Sequence, residues 1–112
     1  MHELSICHSI VDIVGRHAAG REVRTVYLQV GALRQIVPET LRYCWTLVNA
    51  DTPLAGSTLQ VDSVPGAVRC RACEHRQLLT DAVLVCASCG GRDVEIVAGE
   101  EFLITTLDLA EA

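Results

Sequence analysis

Two Cys-x-x-Cys pairs, Cys70-Arg-Ala-Cys73 and Cys86-Ala-Ser-Cys89, stand twelve residues apart in a chain of 112. No other feature restricts the fold as strongly. Each pair offers two sulfurs from one tight turn, and two such turns joined by a short hairpin complete a tetrahedron around one metal ion. Gly90-Gly91 follows the second pair, where the backbone must turn sharply around the sulfurs. Four thiolates leave no open coordination position, so the site is expected to be structural, and zinc is the ion it suits. A rubredoxin-like iron site uses the same spacing and stands as the rival. Thioredoxin-like redox chemistry uses one Cys-x-x-Cys and has no need of the second. A bound metal also supplies folding free energy to a module too small to bury much of a core.

The cysteines interrupt a fold that begins before them and resumes after them. From Leu4 to about Ala19, the residues Ile6, Cys7, Ile10, Val11, Ile13, Val14 and Ala18 recur at helical spacing and predict an amphipathic helix. Gly20 is placed to cap it, with Arg16 and His17 in the last turn where cations suit the helix dipole. Val23 to Ala32 alternates, with Val26, Leu28 and Val30 on one face and Thr25, Tyr27 and Gln29 on the other, so it predicts a strand. A second helix starts at Pro38, which suits the first helical position, and buries Leu41, Cys44, Trp45 and Val48. The stretch DTPLAGS at 51–57 reads as loop. Thr58 to Val64 and Phe102 to Leu109 read as strands, and Pro65-Gly66 and Gly99 bracket the insert.

The class is α+β: a small three-stranded sheet with two helices, carrying an inserted four-cysteine zinc-ribbon module. Residues 1–65 with 99–112 are expected to form one domain, and residues 66–98 the metal module. Cys7 and Cys44 fall on apolar helix faces and read as core, where free cysteine commonly lies. His75 follows Cys73 by two residues. The four-thiolate set is complete without it, so it reads as a solvated loop histidine rather than a ligand.

Composition narrows the partners. Aromatic residues are only 4%, so the core is aliphatic. The formal net charge is -5, and thiolates around a divalent cation make it more negative still. Such a domain repels phosphate backbones, and suits metal cations or a basic protein partner. Arg69, Arg71 and Arg76 gather beside the first cysteine pair, but Glu74 interrupts them and no aromatics interleave for base stacking. No apolar stretch reaches the roughly 18 residues of a membrane span, and no basic region precedes the first apolar residues, as a secretory signal would require. The expected compartment is the cytoplasm, where cysteines stay reduced.

The first residues are Met-His-Glu. Histidine is too bulky for the usual removal of the initiator methionine. The Met1 amine and the His2 amide nitrogen close a five-membered chelate ring, and that amide with the His2 Nδ1 closes a six-membered one. The Glu3 amide or carboxylate, or an outside donor, can take the fourth place. A planar nitrogen set suits nickel(II) or copper(II) and not the tetrahedron of zinc. The plainer reading is a helix start, with Glu3 near the positive dipole end and His2 solvated.

With MHELSI at 1–6, VGAL at 30–33, PETL at 38–41, CRAC and CASCGG between 70 and 91, and GEEFLITTLDL at 99–109, the chain resembles the hydrogenase nickel-insertion accessory proteins, the HypA/HybF family, over almost its whole length. That resemblance implies a metallochaperone and not an enzyme. It implies nickel held at the start of the chain by Met1, His2 and Glu3, with His2 as the essential side chain. It implies structural zinc in a separate knuckle, on Cys70, Cys73, Cys86 and Cys89. It also implies a nickel-binding GTPase of the HypB type as partner and the large subunit of nickel–iron hydrogenase as recipient; some members also serve urease. Arg34-Gln35 departs from the small polar residue that usually follows VGAL, in a segment that could face a partner. A monomer or a weak homodimer is expected. A zinc-ribbon adaptor or regulatory binding module without a nickel role is the alternative.

Overall fold

The computed structural model describes residues 2–79 and 84–110, with the side chain of His2 outside that description. Seventeen residues, His2–Ala18, form α1. Its stripe of Cys7, Ile10, Val14 and Ala18 is buried, as the helical spacing requires. The helix ends one residue earlier than expected. Both Ala19 (φ 52°) and Gly20 (φ 85°) lie in the left-handed region, and the Arg21 N–H donates to the Ala18 carbonyl at 3.0 Å.

Strand β1 spans Val23–Gly31 and buries Val26, Leu28 and Val30 on alternate positions, with Val23 buried at its start. A single 3-10 turn follows at Ala32–Arg34. Helix α2 is Pro38–Val48, with proline in its first turn, and buries Leu41, Cys44 and Trp45. Strand β2 is Thr58–Val64, and β6, the last strand, is Phe102–Leu109. The order in this first sheet is β2-β1-β6. Ala110 bonds to Glu22 at one end of the β1–β6 pair and Gly31 to Glu101 at the other, so those two strands run antiparallel. The expected two helices and three strands are all present.

The chain divides into two compact units. The first comprises Met1–Gln29, Ile36–Asp62 and Leu103–Ala112. Here α1 packs on α2, and the Cys7 thiol donates to the Leu41 carbonyl at 3.5 Å. Cys7 and Cys44 are both core residues. Asn49 is buried, but its amide is satisfied by the Trp45 carbonyl at 3.0 Å and the Thr52 hydroxyl at 2.8 Å, which ends α2 without an orphaned polar group.

The second unit comprises Val30–Gln35 and Ser63–Phe102. It contains a sheet that the sequence pattern does not announce: β3 (Ala67–Cys70), β4 (Arg76–Leu78) and β5 (Val94–Ala98), in the order β4-β3-β5. Both neighbours of β3 run antiparallel to it. Arg69 stands opposite Arg76 on one side and Glu95 on the other, and its Nε donates to Glu95 at 2.9 Å.

The VGAL segment has a physical reason within this unit. The Gly31 N–H donates to the Glu101 carbonyl at 2.7 Å, and the Leu33 N–H to the Gly99 carbonyl at 2.8 Å. A Cβ on Gly31 would overlap the Gly99 carbonyl, and one on Gly99 would come within 2.6 Å of the Gly66 Cα. Gly99 also has φ 109°, which side chains resist. The Arg34 Nε donates to the Glu100 carbonyl at 2.8 Å and so secures the 3-10 turn to its neighbour.

Candidate metal centre

Cys70 is the last residue of β3, and Cys73 lies in the turn that follows it. The backbone there closes on itself twice. The Cys70 N–H donates to the His75 carbonyl at 2.9 Å, and the Glu74 N–H to the Cys70 carbonyl at 2.8 Å. The second pair repeats the pattern. The Cys86 N–H donates to the Gly91 carbonyl at 2.9 Å, and the Gly90 N–H to the Cys86 carbonyl at 2.9 Å. The residue after each pair takes a left-handed conformation, Glu74 at φ 66° and Gly90 at φ 74°. Glycine fills that position in one knuckle and glutamate in the other.

These two turns bring the sulfurs of Cys70, Cys73, Cys86 and Cys89 within 4.8 Å of one another. The Cys70 and Cys89 sulfurs are 3.6 Å apart, and those of Cys73 and Cys86 are 3.5 Å apart. Four sulfurs about 2.3 Å from a central zinc would be about 3.8 Å from one another, so the donor set fits a tetrahedral four-thiolate ion. Cys70 and Cys86 are buried, while Cys73 and Cys89 are exposed.

The local backbone favours thiolates. The N–H of Cys73 and then that of Ala72 lower the Cys70 thiol below its ordinary value. The N–H of Cys89 and then that of Ser88 bring Cys86 down to about 6. The Gly91 N–H pulls Cys89 the same way, but Cys70, Cys73 and Cys86 outweigh it and leave that thiol at about 11. Without a cation the four sulfurs compete for negative charge. A divalent ion at their centre removes that competition.

Gln77 on β4 was not signalled by the sequence. Its Nε2 donates to the Val85 carbonyl at 2.9 Å, and its Oε1 accepts from the Ala87 N–H at 2.7 Å. It therefore grips the backbone on both sides of Cys86. A lone glutamine between Arg76 and Leu78 carries no spacing signal that could have found it. His75 is exposed and contributes its carbonyl to the knuckle. Two of the three arginines beside the first pair are engaged with carboxylates: Arg69 pairs with Glu95, and Arg71 reaches Asp93 at 2.8 Å.

At the other end of the sequence, His2 opens α1, and Glu3 stands half-buried in its first turn. Of the expected nickel ligands, Met1 and the side chain of His2 lie outside the described residues. No helix among the described residues is long and apolar enough to cross a membrane.

Residues 1–109 match a family model described as hydrogenase/urease nickel incorporation, metallochaperone, HypA. A hydrogenase maturation factor HypA from Rhodopseudomonas palustris (strain BisA53) is 37% identical over 112 residues, covering 97% of this chain and 99% of the relative. The factor of the same name from Nostoc punctiforme is 36% identical, covering 99% and 97%. Two solved structures share the fold. One is a HypA protein in solution, with a TM-score of 0.73 and 18% identity over 98% of this chain and 97% of that one. The other is the Ni metallochaperone HypA from Helicobacter pylori, with a TM-score of 0.67 and 17% identity over 96% of each. With a family match from the first residue through the last strand, and relatives above one-third identity over nearly their full length, this chain belongs to the HypA family of nickel-incorporation metallochaperones for hydrogenase maturation.

Proposed function

We propose that the chain carries nickel(II) at its N-terminus, holds zinc at its four cysteines, and delivers the nickel to the large subunit of a nickel–iron hydrogenase. The observation that carries this reading is the family match, which begins at residue 1 and so includes the Met-His-Glu trio. The nickel ligands are the Met1 amine, the His2 amide and imidazole, and a donor from Glu3. The helix start supports them. The first amides of a helix have no intrahelical acceptor, and α1 begins at His2, so no helical hydrogen bond must break before those nitrogens bind a metal. Binding displaces protons from the amine and amide, so nickel affinity rises with pH.

The zinc site is enclosed by four thiolates on Cys70, Cys73, Cys86 and Cys89 and is structural. Zinc there would neutralise sulfur charge and hold the two knuckles together. The nickel site is a terminal chelate whose fourth place is held by an exchangeable Glu3 donor, so a recipient's donors can displace it and take the ion stepwise. This division assigns nickel to the domain of residues 1–65 and 99–112 and zinc to residues 66–98. A nickel-binding GTPase of the HypB type is the partner in transfer, and urease maturation proteins are a second destination. Carriage needs no catalytic group, and the compartment is the cytoplasm.

Metal counting on untagged protein, followed by nickel titration of the parent and His2→Ala, tests the reading. One retained zinc and one nickel that disappears in the variant are expected. Retained zinc with no nickel in the parent would leave a zinc-ribbon adaptor as the better account.

A further inference from the structure

The two knuckles are alike internally but are not held alike. Cys70 belongs to the central strand of its sheet, with Val94 directly opposite. The Arg71 N–H donates to the Asp93 carbonyl at 2.9 Å, the Arg71 guanidinium meets the Asp93 carboxylate at 2.8 Å, and Arg69 pairs with Glu95. The first knuckle is thus built into β3 and braced against the chain leading into β5. Cys86 and Cys89 lie on no strand. Among the described residues, apart from the sulfur–sulfur contacts within the metal site itself, the hydrogen bonds that tie residues 84–91 to the rest of their unit are the two made by Gln77.

Gln77 is suited to that task. Its backbone is fixed opposite Val68 in the β4–β3 pair. Its carboxamide offers one donor and one acceptor, and these meet the carbonyl of Val85 and the N–H of Ala87. A strand neighbour would offer the same two groups. One side chain thus replaces a missing rung of sheet beside Cys86.

We infer that the Cys86–Cys89 knuckle is the half of the metal site that opens first, and that Gln77 is the positioning residue that keeps it closed. The inference rests on the four cysteines holding a metal ion, as proposed above. Local opening follows the weakest set of contacts, and the first knuckle cannot swing away without breaking its sheet. Static accessibility predicts no such order, because each knuckle has one buried and one exposed cysteine.

The test uses the zinc-loaded full chain, with its metal counted first. It is exposed to N-ethylmaleimide and a chromophoric chelator, and samples quenched in time are mapped by mass spectrometry. Cys86 and Cys89 should be modified ahead of Cys70 and Cys73 in the parent. Gln77→Met keeps the side-chain length and removes both hydrogen bonds. It should speed zinc release by on the order of 10-fold, the low end of what the loss of a ligand-supporting contact does to a metal site, and widen the lead of Cys86 and Cys89. A general loss of structure would instead speed all four cysteines together. A parent that holds zinc yet labels its four cysteines at one rate, or labels Cys70 and Cys73 first, overturns the inference. So does unchanged zinc release in Gln77→Met. A parent that binds no metal overturns the zinc reading itself. The parent's labelling order needs no variant, so a Gln77→Met chain that failed to fold would not shield the inference.

Discussion

Ala19 sits at φ 52° just beyond the end of α1 and is exposed. A β-carbon in that conformation costs on the order of 1 kcal/mol, and glycine is the usual occupant. The helix needs a left-handed residue here, and the glycine that could serve comes one position later. Ala19→Gly should therefore stabilise the first unit by about 0.5 kcal/mol, after allowance for the greater freedom of glycine in the unfolded chain. Urea unfolding followed by the fluorescence of Trp45 measures it, because the chain has one tryptophan and it is buried in that unit. Cys7 supplies a second test at this scale. Burial first, then Cys44 and Glu3, raise its thiol from the ordinary 9.0 to about 11. The fold accommodates the neutral form, whereas the unfolded thiol ionises near 9.0. This contribution to stability is whole below that pH and is lost as the pH climbs toward about 11. Cys7→Ala removes it, so the variant's stability should fall less steeply than the parent's between pH 9 and 11.

Single elements show why some of the fold can be read from the residues and some cannot. The meeting of Gly31, Gly66 and Gly99 is a contact of bare backbone. Gly31→Ala places a methyl group on the Gly99 carbonyl, and neither segment can retreat without breaking the hydrogen bonds at Gly31 and Leu33. The expected cost is about 3 kcal/mol or more, seen as faster amide exchange at Gly31 and Leu33. Nothing in the letters VGAL announces that contact, because its other half lies some 70 residues away. The helices and the strands β1 and β2 were legible because each buries one apolar face, and burial imposes a period of 3.6 or 2; β6 was legible from its run of apolar and β-branched residues. Strands β3, β4 and β5 were not. They are three to five residues long, and Arg69, Arg76 and Glu95 occupy positions where alternation would otherwise appear. The convergence of the four cysteines was legible for the opposite reason: turn geometry ties ligand spacing to sequence spacing. Gln77 was illegible because one glutamine has no period and no spacing.

At the scale of the whole molecule, the two units draw on different sources of stability. The first buries Ile10, Val14, Val26, Leu28, Leu41, Trp45 and Leu59, an apolar core that suffices without a metal. Two of the second unit's few buried side chains are Cys70 and Cys86, and its sheet has three short strands. A structure with so little apolar burial depends on its cross-link. Zinc removal by a strong chelator under reducing conditions should therefore act on one unit and spare the other. Amides of β3, β4 and β5 should lose protection, while those of α1 and α2 keep theirs. Trp45 reports on the first unit alone, with its Nε1 donating to the Ser57 hydroxyl at 3.0 Å. Its emission should not move when the metal leaves, and it should still unfold cooperatively on heating. Hydrogen exchange and fluorescence on one metal-free sample measure both. A red shift of Trp45 on chelation would mean that the metal supports the helical unit as well. Loss of zinc would then also disturb α1, whose first residues are the proposed nickel ligands. An unmoved Trp45 would mean that zinc can leave without disturbing the helix that presents His2, and that nickel binding can be measured with the zinc site empty.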